Sequence, residues 1–108
     1  MEEKRKAVRV EKPLIIQYAH SSSDLVKPLV WDSTTAKNIS IEGMLLNTDK
    51  IFAKNEKFLL RFVLLTDSVY HLEFVAEVIE SLPYRTRIKF INLDEQQKKI
   101  ISDYLGVY

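Results

Sequence analysis

Apolar residues recur at every second position over most of the chain. In residues 69–81, Tyr70, Leu72, Phe74, Ala76 and Val78 fall on one face and His71, Glu73, Glu77 and Ser81 on the other, with Val75 and Ile79 interrupting the polar side. A side-chain period of two predicts a long strand with one buried face. Residues 57–65 repeat the pattern, with Phe58, Leu60, Phe62 and Leu64 opposite Lys57 and Arg61, and residues 84–90 alternate Ile88 and Phe90 with Arg85, Arg87 and Lys89. Three further segments, 13–20, 25–38 and 43–48, are rich in β-branched and aromatic residues and predict three more strands. Ser21-Ser22-Ser23-Asp24 is the clearest loop signal, 49–55 a second turn region, and Pro83-Tyr84 the turn between the last two strands.

The period changes after residue 93. Asp94 followed by Gln97 three residues later has the form of a helix N-cap with a capping box. Ile100, Ile101, Tyr104 and Leu105 then recur at helical spacing, and Gly106 suits the position just past a helix end. About six short strands followed by one amphipathic helix predict a mainly β fold: a small antiparallel barrel with the helix packed on it. Closing the sheet would also remove exposed strand edges.

Composition narrows the class. A chain of 108 residues, 46% hydrophobic, holds one domain with one compact core. The absence of cysteine excludes disulfides, thiolate metal sites and a cysteine nucleophile. A formal net charge of +1 does not favour broad binding to DNA or to an acidic membrane. No apolar stretch follows Met1-Glu2-Glu3-Lys4-Arg5, and none elsewhere has the length of a bilayer span, so the expectation is a soluble, cytoplasmic protein without membrane insertion. Basic residues are not evenly spread, however: Lys4, Arg5, Lys6, Arg9 and Lys12 fall close together against one acid, Glu11. A local basic arm on a nearly neutral body favours a small anionic ligand over a long polyanion, although a charge run alone is most often a solvated terminus.

Two short constellations carry chemistry. Arg5-Lys6-Ala7-Val8-Arg9 has RxxxR spacing, and Asn38-Ile39-Ser40-Ile41-Glu42-Gly43 has NxSxxG spacing between two predicted strands. Arginine suits guanine nucleotides twice over: its fork donates to O6 and N7 of the base, and it pairs bidentately with phosphate. In an extended arm, arginines four apart stand roughly 13 Å from one another, enough to embrace a nucleotide. Asn38 offers a donor and an acceptor to a base edge and Ser40 a hydroxyl; two residues apart, they share one side of an extended stretch. Gly43, one of only two glycines, would permit a positive φ at a turn and a close backbone approach. Each motif alone is common by chance, and each alone reads as a basic tail or a polar turn.

Together and in this order, the two motifs resemble those of the PilZ domain family. Lys4-Arg5-Lys6-Ala7-Val8-Arg9-Val10 is similar to its N-terminal RxxxR motif, and Asn38 to Gly43 to its D/NxSxxG motif. Met44-Leu45-Leu46, Phe58 to Val63, residues 75–80 and 86–91 and the terminal helix extend the likeness from Lys4 to about Leu105. The resemblance implies a six-stranded antiparallel β-barrel with a C-terminal helix, residues 1–10 forming a flexible basic arm and 11–108 the barrel. It implies cyclic di-GMP as the ligand at the barrel rim. Arg5 and Arg9 would engage guanine and phosphate, Asn38 and Ser40 a guanine, and Gly43 would shape the turn. Three features depart from the commoner family pattern. Glu42 replaces a small residue, and a carboxylate turned toward phosphate would weaken binding. Asn55-Glu56-Lys57 and Arg87-Ile88-Lys89 stand where glycines are frequent before the fourth strand and in the last one.

No catalytic constellation accompanies these motifs. His20 and His71 lack ligand spacing, Ser40 lacks a nucleophile-elbow context, Glu73, Glu77 and Glu80 read as a solvated strand face, and Trp31 as core or barrel rim. The expected function is therefore a non-enzymatic cyclic di-GMP receptor, without cofactor or metal. Its arm changes conformation on binding and signals to a protein partner in trans, in motility, exopolysaccharide or pilus machinery. Two rival readings are a ligand-free PilZ-fold interaction adaptor and a small barrel for single-stranded nucleic acid; near-neutral charge counts against the second.

Overall fold

The structure, a computed structural model, describes residues 14–20 and 30–106. Six strands and one helix succeed one another in chain order: β1 (Leu14–His20), β2 (Asp32–Ile39), β3 (Gly43–Leu46), β4 (Lys57–Leu65), β5 (Val69–Leu82), β6 (Arg85–Ile91) and α1 (Glu95–Leu105). All neighbours are antiparallel, and the sheet closes in the order β1-β2-β3-β6-β5-β4. The expected barrel is thus present. Its one non-sequential step of functional weight joins β3 to β6, bringing two stretches far apart in the sequence onto one surface.

The period-two faces explain the packing. Phe58, Leu60, Phe62 and Leu64 of β4 and Leu72, Phe74, Ala76 and Val78 of β5 all point inward and are buried. Tyr18, Phe52 and Phe58 pack ring against ring at one place in this core, and Phe62, Phe74 and Phe90 at another. Thr86, fully buried, is satisfied by a 2.9 Å hydrogen bond with Ser81 Oγ, which in turn accepts from the Phe52 amide. Helix α1 starts where the capping box predicts: Gln97 N donates to Asp94 Oδ1 and Asp94 N donates to Gln97 Oε1. It ends at Gly106 with φ 75°. Its Ile101 and Leu105 are buried in the same core, with Ile100 and Tyr104 packed beside them.

The strand expected over 25–38 is shorter in the structure. Residues 25–29 lie outside the described residues, while Val30 and Trp31 are out of the ladder and β2 begins at Asp32. Trp31 instead lies on the outside of the barrel, half-buried, with the Arg61 guanidinium 3.8 Å from its ring centre. Gln17 Oε1 accepts from Arg61 Nε at 2.8 Å, so Arg61 is held from both sides. Next to β2's start, Asp32 hydrogen-bonds Lys50 Nζ at 2.8 Å and holds that ammonium above its ordinary pKa; the pair is exposed and adds little to stability.

Two β-bulges interrupt the ladder. On β2, Ala36 faces Leu46 but Asn38 faces Leu45, leaving Lys37 as the extra residue. On β5, Val78 faces Ile88 but Glu80 faces Arg87, leaving Ile79 extra. Each bulge inverts the in-out phase of the residues beyond it. The bulge at Lys37 is why Ile39 turns into the core and Asn38 away from it.

Candidate functional site

The β2–β3 turn is built by Ser40. Its amide donates to Gly43 O at 2.9 Å, and its hydroxyl oxygen accepts from the amides of Glu42 and Gly43 at 3.2 and 3.3 Å. A serine that gathers the backbone amides of its own turn ties the loop down from within. Glu42 O accepts from Phe90 N at 2.9 Å and fastens the same turn to β6.

Gly43 is a glycine because β3 and β6 approach closely here, not because the turn needs a left-handed residue. Its φ is not positive, whereas a Cβ at this position would stand 2.0 Å from Ile88 O. Of the two reasons the sequence allowed, close approach is the operative one.

Asn38, Ser40 and Gly43 line one open groove of about 830 Å³ on the outer surface over β2, β3 and β6. Ile41, Glu42 and Leu45 continue the wall on one side, and Arg85, Arg87 and Lys89 of β6 form the other, with Asn92, Leu93 and Lys98 toward α1. Four cations face one carboxylate, Glu42, among these lining residues. Glu42 is exposed at the rim, and none of Arg85, Arg87, Lys89 or Asn38 has a side-chain ion pair or hydrogen bond to another described residue. The groove therefore presents donors of positive charge that no described side chain engages, together with an amide able to read a base edge.

The three barrel residues singled out in the sequence are thus brought together. Arg5 and Arg9, the other two, lie outside the described residues. The cations of β6 are visible in the sequence as an alternation, but nothing there gives them a role. Only the β3–β6 pairing, which sequence separation conceals, sets them beside the NxSxxG turn. The bulges at Lys37 and Ile79 bracket the groove on its two flanks, and Ile79 itself contributes to the lining.

A second concavity of about 880 Å³ lies over β1, β4 and β5. It is lined mainly by apolar groups, among them Leu14, Ile15, Phe62, Val63 and Leu65, and its one arginine, Arg61, is already engaged by Gln17 and Trp31. Nothing in that lining favours a polyphosphorylated ligand. Among the described residues no three His, Asp or Glu side chains are placed to hold a metal ion, and no helix is long and apolar enough to cross a membrane.

Comparison with curated protein sequences gives no significant match. Among solved structures, the PilZ domain of CeSA from a cellulose-synthesizing bacterium superposes with TM-score 0.67 at 16% identity, covering 91% of this chain and 95% of that one. The Bacillus subtilis inhibitor of motility MotI/DgrA gives TM-score 0.75 at 18% identity over 97% of this chain, which spans 51% of that longer protein. The PilZ domain of YcgR from Escherichia coli, determined with cyclic di-GMP, gives TM-score 0.64 at 17% identity, covering 96% of this chain and 90% of that one. At these identities the likeness is one of fold. The family model described as the PilZ domain matches residues 3–106, so that it takes in both the RxxxR and the NxSxxG segments. This chain belongs to the PilZ domain family.

Proposed function

We propose that the chain is a non-enzymatic receptor for cyclic di-GMP, bound in the groove over β2, β3 and β6. The observation that carries this reading is the convergence of Asn38, the Ser40 turn and Gly43 on one groove in which four cations outnumber the single carboxylate, Glu42. Cyclic di-GMP has two guanine edges and two phosphates, and the groove offers an amide for the first and, for the second, cations that no described side chain engages. Family membership and the fold shared with a domain that holds cyclic di-GMP support the same ligand.

In this reading Arg5 and Arg9 supply the forks that engage guanine and phosphate. Ligand binding draws residues 1–10 over the groove, and the remodelled surface is read by a protein partner in trans. A change of this kind needs only that the ligand bind one arrangement of the arm better than others. Cytoplasmic cyclic di-GMP would be the signal, and the downstream process is set by the partner rather than by this domain.

Calorimetric titration tests the reading. Cyclic di-GMP is expected to bind the wild-type protein at micromolar concentration or tighter, GTP much more weakly, and Asn38→Ala about tenfold or more below wild type, the cost of losing a paired base edge being about 1–3 kcal/mol. A folded wild-type protein that gives no heat with cyclic di-GMP would instead favour the interaction-adaptor reading, in which the groove or the apolar concavity over β1, β4 and β5 receives a protein.

A further inference from the structure

We infer that Arg87 is a specificity-determining residue of the groove: it reads the N7/O6 edge of one guanine of the ligand, with Leu45 as the floor beneath the base. This inference rests on the groove being the cyclic di-GMP site.

Register carries it. Asn38 pairs with Leu45 across β2–β3, and Leu45 pairs with Arg87 across β3–β6, so the three residues form one row perpendicular to the strands. The bulge at Lys37 sets this row, because it is what brings Asn38 opposite Leu45 rather than one position on. With neighbouring strands about 4.8 Å apart, Asn38 and Arg87 stand roughly 10 Å from one another on the same surface. Between them is an apolar, half-buried side chain. A flat base laid over Leu45 therefore has an amide at one edge and a guanidinium at the opposite edge. Guanine is the base this arrangement fits, because N7 and O6 are both acceptors on one edge and match the two donors of an arginine fork. Adenine carries an amino donor where guanine carries O6.

Arg87 is also available. It is exposed on β6, and Glu80, its register partner on β5, forms no ion pair with it. Gly43 pairs with Lys89 two register positions on, in the next row of the same face, and has no side chain. The surface beside the proposed base is thereby left open for the sugar-phosphate ring, with Lys89 at its far side.

The test is a cycle of two proteins and two ligands: wild type and Arg87→Met, each titrated with cyclic di-GMP and with its 7-deaza analogue, in which N7 is replaced by CH. Methionine keeps the length and apolar stem while removing the fork. Arg87→Met is expected to bind cyclic di-GMP about ten- to hundredfold more weakly than wild type, as loss of a bidentate base contact implies. The analogue is expected to bind wild type several-fold more weakly than the parent, and this penalty should shrink in Arg87→Met. Arg87→Lys, which retains charge without the fork, should recover only part of the loss. Lys54→Ala, which removes an exposed cation outside the groove, serves as the control for general charge effects and should bind as wild type does. Unchanged affinity in Arg87→Met, or a deaza penalty equal in both proteins, would overturn the role of Arg87 while leaving the receptor reading in place. A wild-type protein that binds neither ligand would overturn the receptor reading itself.

Discussion

Gly43→Ala is expected to lower the stability of the free domain by about 2–4 kcal/mol and to weaken cyclic di-GMP binding with it. The added methyl group would meet a backbone carbonyl, Ile88 O, at 2.0 Å, with Ile88 C and Lys89 Cα each at 3.0 Å. A flexible side chain can yield to such a clash, but a strand in the middle of a ladder yields only by moving. β3 has just four residues, and one of its two partners is β6, so separating the pair at Gly43 opens the closed sheet where it is narrowest. The same movement would carry the NxSxxG turn away from Arg87 and Lys89. Urea unfolding monitored by tryptophan fluorescence reads the first effect, because Trp31 lies against the barrel through Arg61. A wild-type midpoint in Gly43→Ala would mean that the two strands do not approach as closely as described.

The largest expected effect on binding belongs to the arm. Replacing Arg5 and Arg9 together by alanine should reduce affinity for cyclic di-GMP by at least about thirtyfold, since each charge-assisted fork contributes about 1–3 kcal/mol. Lysine at both positions should restore little of this, because an ammonium keeps the attraction to phosphate but not the paired donors. If the two arginines act through the ligand, the unliganded thermal midpoint should stay within about 2 °C of wild type. Titration of the double variant with a parallel melting curve separates the two quantities. Retained affinity in Arg5→Ala/Arg9→Ala would place the whole site on the barrel and remove the arm from the mechanism.

Much of the barrel was legible because burial on one face of a strand imposes period two on the residues. Phe58 to Leu64 and Leu72 to Val78 show it, and every one of those inward positions is buried. The helix was legible because Asp94, Gln97 and Gly106 are chemical signals for its two ends. What periodicity does not carry is a change of phase. Lys37 and Ile79 are ordinary residues, and nothing in their type announces that a ladder slips by one there. Ile79 stands out in the sequence only as an apolar residue on the polar side of β5, and in the structure it is 40% exposed and lines the groove.

The departures from the family pattern have local explanations. Asn55, where glycine is frequent before the fourth strand, has φ 71°, a left-handed conformation that asparagine tolerates better than most residues. Its amide donates to Val78 O, and Val78 N donates to Glu56 O, so this turn is bonded to the strand that carries the second bulge. Glu42 is exposed and its backbone, rather than its carboxylate, holds the turn to β6. Arg87 and Lys89, replacing smaller residues on β6, do not disturb the strand, since both project outward while Thr86 and Ile88 fill the core. Of the site, the NxSxxG residues were legible from type and spacing. The cationic wall was not, because it depends on a pairing between β3 and β6 that only the closed sheet makes.

The most direct test of the groove as the ligand's seat is a two-dimensional amide NMR titration of the 15N-labelled protein with cyclic di-GMP. Within the barrel, the largest shifts are expected at residues 38–45 and 85–92, the two walls of the groove, with little change over the outward positions of β1 and β4 such as Ile15 and Val63. Shifts centred instead on β1, β4 and β5, or none at saturating ligand, would contradict it.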